Sequence, residues 1–298
     1  MSNIFCLTIC ECAYITIFML ELAYNEDWTW THSRTDIETC PTDYFIVKYF
    51  GPVERDVLSP TNAKMRAGKC AESCGEDILG GSNVRETRDH WKEVLSQHEP
   101  ISERDKFQKA VCLEQFDDVV DSILGAFDEL KLNIVDTQTS YQEEIKGIKA
   151  PFDGFIDFES KDSFIELKTQ WSTAMIPLAC DGSIKKRKPN SLSAPRPHTL
   201  RQSSIYKFIS KKNPIVVYAT PFDYKIFDGQ NCQRMQPSYL DTSFKDIRIS
   251  AFTRQNLLEE SDDILDLTRK ITPNFSHYVW NDIDSEVLTK IKQLWRYE

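Results

Sequence analysis

Two short runs in the middle of the chain hold the residues best suited to chemistry, Gly154-Phe155-Ile156-Asp157-Phe158 and Phe164-Ile165-Glu166-Leu167-Lys168. The polar stretch Ser160 to Ser163 separates them, so the two runs are expected to pair as an antiparallel hairpin. A turn centred on Lys161 and Asp162 places position 157 across from position 166, and directly opposed Cβ atoms lie about 4.5–5.5 Å apart. Alternation then sends Ile156, Phe158, Ile165 and Leu167 to one face and gathers Asp157, Glu166 and Lys168 on the other, wet face. Two carboxylates held that close repel, and a hard divalent cation with oxygen ligands, Mg²⁺ or Mn²⁺ in its place, would keep both as anions. Such an ion polarises a phosphate oxygen and acidifies a bound water, while Lys168 could orient that water or offset charge building on the phosphate. This is the chemistry of phosphodiester hydrolysis. A surface hairpin whose charges only form an ion pair would show the same short pattern, so the order of the surrounding elements has to decide.

Those elements are legible as changes of period. From Asn133 to Gln170 the period is close to two, with Gly147, Pro151 and Gly154 as punctuation, which reads as three successive strands. Thr199 to Lys212 has helical spacing, and Ile215-Val216-Val217-Tyr218-Ala219 reads as a strand buried on both faces, reached by a helical crossover from a parallel neighbour. Upstream, Asn62 to Leu79 forms a helix stopped by Gly80-Gly81, and Phe107 to Leu132 is amphipathic. A short helix over Arg34 to Glu38 precedes Thr39-Cys40-Pro41 and the apolar run Tyr44 to Phe50, and the tail from Phe244 is mostly helical. The expected fold is therefore α/β with a mixed sheet: helix, three antiparallel-to-mixed strands, helix, strand, with added helices.

In that order the residues acquire a resemblance. Asp157 followed by Glu166-Leu167-Lys168 resembles the signature of the PD-(D/E)XK nuclease superfamily, and Gly154-Phe155-Ile156-Asp157 resembles the Gly-x-Ile-Asp form of its RecB-like branch. Gln202-Ser203-Ser204-Ile205-Tyr206 matches the Gln-x-x-x-Tyr motif that this branch carries on the helix after the metal hairpin, and residues four apart share a helix face. Arg66 to Glu72 resembles the helix segment of lambda-type exonucleases, where a Gly is followed four residues later by a Glu that reaches the metal. Many RecB-like members have a His on this helix; here Glu72 is the candidate, with Glu76 one turn further as a substitute. Ser33 to Pro41 is similar to the opening of RecB-like domains, where a short helix leads into a Cys-Pro pair.

The resemblance runs from about Ser33 to Ala219, weakens between Gly81 and Leu132, and does not reach the tail. It implies a restriction-endonuclease-like core, with Asp157, Glu166, Glu72 and Leu167 holding Mg²⁺ and with Lys168, Gln202 and Tyr206 as further catalytic residues. After Tyr206 only Cys232 remains, so the iron–sulfur cluster of some relatives is not expected. Phe152-Asp153-Gly154 resembles the Pro-Asp-Gly form of other branches, but Asp153 would face Gln170, away from Glu166, which favours Asp157. Glu159 and Asp162 read as turn and surface residues.

The formal net charge of −10 over 298 residues argues against a protein that binds polyanions by bulk charge. Ala179 to Arg196 reads as a solvated loop leading into the helix, and against the acidic background Ser183 to Lys212 has no acidic residue. Its Lys185, Lys186, Arg187, Lys188, Arg196, His198, Arg201 and Lys207 are the candidates for contacting DNA phosphates. Nine scattered cysteines fit thiols in a reducing compartment. Asn3 to Tyr24 is apolar, but Glu11 and Glu21 interrupt it, so a buried strand or helix is expected rather than a signal peptide or a span, and Cys6, Cys10 and Cys12 match no common zinc spacing. The expected organisation is an N-terminal apolar segment (1–32), a nuclease domain (33–240) with a helical insertion near 81–132, and a C-terminal helical extension (241–298). The expected function is a Mg²⁺-dependent deoxyribonuclease acting on DNA ends in recombination, repair or replication. It would act in the cytoplasm or wherever DNA is processed, with a helicase or recombination protein as a partner and no membrane. A structure- or site-specific endonuclease and a silent DNA-binding module are the alternatives, and a scaffold with a coincidental hairpin would bind no metal.

Overall fold

Short polar side chains start most of the helices. The structure, a computed structural model, describes residues 28–175, 183–281 and 283–295. The apolar run 3–24, with Cys6, Cys10 and Cys12, lies outside the described residues. Thr31 opens α1 (His32–Thr35) by accepting the Arg34 amide, and the Asp36 carboxylate closes it by accepting the amides of Glu38 and Thr39. The helix expected over Arg34 to Glu38 is thus displaced toward the N-terminus, because Asp36 turns the chain there. The apolar run after Cys40-Pro41 is helical, α2 (Thr42–Phe50), and α3 (Arg55–Leu58) follows.

Asn62 caps α4 (Ala63–Leu79), and the Asp105 carboxylate takes the free Ala63 amide at 2.9 Å, placing an anion where the helix dipole favours one. Asn83 and Ser102 cap α5 (Val84–Ser96) and α6 (Glu103–Glu114). The amphipathic stretch expected to end at Leu132 is broken at Gln115, after which α7 (Phe116–Leu130) begins. The three expected strands are β1 (Asp136–Glu143), β2 (Phe152–Glu159) and β3 (Ser163–Thr169).

Next come β4 (Thr173–Met175) and β5 (Lys185–Arg187), paired antiparallel with Ala174 opposite Lys186. The Lys-Lys-Arg run expected in a solvated loop is therefore a strand, because Thr173-Ala174-Met175 offers it a free edge. The remaining elements are α8 (Pro197–Ser210), β6 (Asn213–Ala219), β7 (Tyr224–Phe227), α9 (Pro237–Glu259), α10 (Ile264–Arg269) and α11 (Ser285–Gln293). The main sheet is mixed, in the order β1-β2-β3-β6-β7. β2 and β3 run antiparallel, and β3 and β6 run parallel with Glu166 beside Val216 and Lys168 beside Tyr218. The expected α/β class with a mixed sheet and added helices is what forms. Among the described residues no helix is long and apolar enough to cross a membrane.

The chain divides into two compact units. One comprises the described parts of 1–60, 141–154 and 241–298, and is built on aromatic packing: Trp28, Trp30, Phe45, Tyr49 and Phe50 are all buried. Arg254 is buried there too, its guanidinium 4.6 Å from the Phe45 ring centre and donating to the carbonyls of Arg34 and Cys40.

The other unit, from 61–140 and 155–240, has a core in which Phe158, Ile165, Leu167, Val217 and Ala219 of the sheet meet Ala67, Cys70, Ala71, Cys74, Phe116, Val120 and Ile123 of the helices. The opposite side of β6 contributes Val216 and Tyr218 to a second cluster with Leu200 of α8. Gly68 lets α4 approach β3: a Cβ there would lie 2.9 Å from Thr169 Oγ1, which Trp171 Nε1 holds at 3.1 Å. Two buried glutamines tie down the chain after β3. Gln108 donates to the Ser172 carbonyl (2.8 Å) and accepts the Ala174 amide (3.0 Å), while Gln115 donates to Ser172 Oγ (2.9 Å) and accepts the Ser172 amide (3.2 Å). Replacing Gln108 strands a buried carbonyl and a buried amide, so Gln108→Leu should lose about 2–4 kcal/mol. Denaturant unfolding reads this directly, and a loss below about 0.5 kcal/mol would mean that the two groups find water instead.

Candidate active site

The hairpin pairs Phe158 with Ile165 and Glu159 with Phe164, and the ladder stops short of the expected pairing of Asp157 with Glu166. At that point the ladder gives way to a side chain, for Asp157 Oδ2 accepts the Leu167 amide at 2.8 Å. The acid therefore satisfies a buried N–H that strand pairing would otherwise hold. Ile156, Phe158, Ile165 and Leu167 are buried on the apolar face as expected. The other face is not wet. Glu166 is 0% exposed and Asp157 8%, and only the Lys168 side chain, at 28%, keeps partial access to solvent. The expectation of a solvent-facing ribbon fails because α8 covers that side, with the Tyr206 ring 6.1 Å from that of Phe164.

Burial sets the electrostatics. Desolvation, reinforced by the Asp157 charge, pushes the Glu166 carboxyl up to about 8. Asp157 is also raised, by burial first, with Lys168 and the Leu167 amide pulling the other way. Glu72 reaches the same centre from α4, close enough to feel the Asp157 charge, and burial together with that charge raises it to about 8. Lys168 donates to Glu166 Oε1; burial alone would lower its ammonium, but Glu166 and Asp157 outweigh burial and hold it above its ordinary value, so it is cationic. Tyr206 is raised by burial and by the Glu166 charge and keeps its proton. Gln202 Nε2 donates to Tyr206 Oη at 3.0 Å, which leaves that proton free to be directed elsewhere. Of the sequence candidates, the structure thus brings together Asp157, Glu166, Leu167, Lys168, Glu72, Gln202 and Tyr206. Asp153 instead accepts from Thr29 Oγ1 at 2.8 Å.

The acids and carbonyls gathered here are all oxygen donors, which suits a hard divalent cation, and Glu166 Oε2 is buried with no hydrogen-bond partner. As the side chains stand, no three Asp, Glu, His or Cys among the described residues are close enough to hold a metal ion. Asp157 is engaged by the Leu167 amide and Glu166 by Lys168.

A cleft of about 720 Å³ adjoins the centre, lined by Lys64, Lys69, Glu72, Lys168, Gln170, Arg187, Lys188 and Arg196 among others. Arg187, Lys188 and Arg196 are the candidate phosphate contacts that the structure places there. Lys185 is exposed outside the lining, Lys186 pairs with Glu114, and His198, Arg201 and Lys207 are half-buried on α8 outside the lining. Glu159 is buried rather than on the surface, because Lys212 Nζ pairs with it at 2.9 Å and donates to the Ser160 carbonyl at 2.8 Å, fastening the end of α8 to the hairpin turn. The start of α8 is fastened by Tyr218 Oη, which takes the Arg196 amide at 3.1 Å and meets Thr199 Oγ1 at 2.9 Å. Sequence reasoning missed Lys64 and Lys69. Lys64, Gly68 and Glu72 are spaced by four and so share a helix face, a signal that was available once Glu72 had been singled out.

No family model and no curated protein matches the chain. Among solved structures it is similar to a candidate exonuclease from Eubacterium rectale, at 13% identity and a TM-score of 0.46 over 80% of this chain and 85% of that one. It is also similar to the protein SSO0001, at 16% identity and a TM-score of 0.27 over 56% of this chain and 87% of that one.

The raised carboxyls make stability depend on pH. An unfolded Glu releases its proton near 4.3, whereas Glu72 and Glu166 keep theirs to about 8 when folded. Between those values the folded state binds more protons, so stability falls as pH rises and levels off above about 8. In chelator the melting temperature should drop by several degrees between pH 5 and 8, at about 2–4 °C per kcal/mol, and drop less in Glu166→Gln. Equal slopes in the two proteins would contradict the burial of this carboxylate.

Proposed function

We propose that this chain is a divalent-cation-dependent DNA nuclease of the PD-(D/E)XK type, acting on DNA ends. The observation that carries the reading is the meeting of Asp157, Glu166 and Lys168 of one hairpin with Glu72 of α4, beside a cationic cleft in a protein of net charge −10. Asp157, Glu166, Glu72 and the Leu167 carbonyl would hold Mg²⁺ or Mn²⁺. When bound, the ion would supply Lewis-acid polarisation of the phosphate and an acidified water.

The chain's own residues do the rest. Lys168, kept cationic by two buried acids, offsets the negative charge that grows on the phosphate. Its raised affinity for protons makes it an electrostatic stabiliser rather than a base. Tyr206 keeps a proton to donate, and Gln202 fixes its hydroxyl. Lys64, Lys69, Arg187, Lys188 and Arg196 line the path along which a phosphate backbone would be held. Burial and the neighbouring arginines lower the Lys64 ammonium, so an anion in the cleft would relieve it. Gln170 Nε2 is buried without a partner in the same lining and adds a donor for a phosphate oxygen.

The test incubates the purified protein with end-labelled linear DNA and covalently closed circles, with Mg²⁺ or chelator, beside Lys168→Ala and Asp157→Asn. Mg²⁺-dependent loss of linear DNA only, reduced at least about 100-fold in both variants, is the expected result. Nicking of circles would replace the end-directed reading with an endonuclease. Binding without cutting would make the protein a silent DNA-binding module, and neither binding nor cutting would end the nuclease reading. Arg187→Ala and Arg196→Ala should weaken DNA binding and flatten its salt dependence by about one unit of slope each.

A further inference from the structure

A strand residue in an unusual conformation stands over the acidic helix. Three described residues other than glycine have positive φ, namely Lys131, Gln138 and Lys211. Lys131 and Lys211 close α7 and α8, where a left-handed residue is ordinary. Gln138, at φ 51°, lies inside β1, the edge strand of the main sheet, where a side chain with a Cβ adopts this conformation only at a cost in free energy.

The contacts made from that position are specific. Gln138 Nε2 donates to Glu72 Oε1 at 2.8 Å and to Glu76 Oε1 at 2.7 Å, so both protons of one amide are used on two carboxylates one helical turn apart. A neutral donor suits this place. A lysine would cancel the negative charge that a cation needs, and an acid would add a third repelling carboxylate. Glu72 in turn lies close enough to Asp157 for the two acids to act on each other electrostatically. We infer that Gln138 is a positioning residue, held left-handed so that its amide bridges Glu72 to Glu76 and aims Glu72 at the centre formed by Asp157 and Glu166. Glu76 is the anchor of this bridge and not a metal ligand. The inference rests on the proposed cation-dependent centre, since the group being aimed is a proposed ligand.

Glycine adopts positive φ without penalty, which separates the backbone's need from the side chain's. The experiment measures Mn²⁺ binding to the full chain by calorimetry, the melting temperature in chelator, and DNA cleavage across Mn²⁺ concentrations. Gln138→Gly should melt at or above the wild-type temperature yet bind Mn²⁺ about 10-fold more weakly, the usual effect of losing a partner that orients a ligand. Its cleavage should recover at high Mn²⁺. Glu76→Gln keeps an oxygen to accept from Gln138 and should bind Mn²⁺ like the wild type, whereas Glu72→Gln should not. Unchanged Mn²⁺ affinity in Gln138→Gly, with a wild type that binds and cuts, overturns the positioning role while leaving the proposed function intact. A loss in Glu76→Gln equal to that in Glu72→Gln overturns the anchor assignment. A wild type that takes up no Mn²⁺ even with DNA present overturns the proposed function, and this inference with it.

Discussion

Two carboxylates, Asp157 and Glu166, lie where water hardly reaches, and the architecture around them follows from keeping them there. Unit charges 4 Å apart interact by about 1 kcal/mol in water but by about 4 kcal/mol at an effective dielectric of 20. At the higher figure the attraction of Lys168 for the acids exceeds the burial penalty on its own ammonium, which is why it remains charged. Asp157 is further held by the Leu167 amide, so the break in the strand ladder and the placement of the acid are one event. What is left over is a set of buried acids whose ionisation burial opposes, and one Glu166 oxygen without a partner. The proposed divalent cation would answer both.

The two faces of the hairpin impose different demands on the helices around it. On the apolar face, small residues of α4 such as Ala67, Gly68 and Ala71 allow close packing, and that closeness lets Glu72 extend to the centre. On the polar face, α8 is fastened at both ends, by Tyr218 at its start and by Lys212 with Glu159 at its end. A helix fixed in this way can present Tyr206 over Glu166 and Lys168 without being anchored through the reactive groups themselves. The cationic cleft then lies at the edge of the centre, so the local potential opposes that of the protein as a whole.

The hairpin was legible because strand alternation and a four-residue turn are local, and they sort Ile156 and Phe158 from Asp157 without knowledge of the rest. The same holds for α4, whose cap, Asn62, and stop, Gly80, are written into the chain. Burial of the polar face was not legible, since it depends on where α8 lies, and the α8 pattern carries no address. Lys185–Arg187 has the composition of a solvated loop and becomes a strand only because an edge at Thr173–Met175 is available. Gln138 gave no signal, because its importance lies in one dihedral angle and in two contacts more than sixty residues away.

Diffraction from crystals soaked in Mn²⁺, recorded at the manganese absorption edge, tests the central claim most directly. The account predicts an anomalous peak bounded by oxygens of Asp157, Glu166 and Glu72, with Lys168 beside it and not among its ligands. Diffraction that shows no peak between those carboxylates, or places the ion elsewhere while they stay as they are, would contradict it.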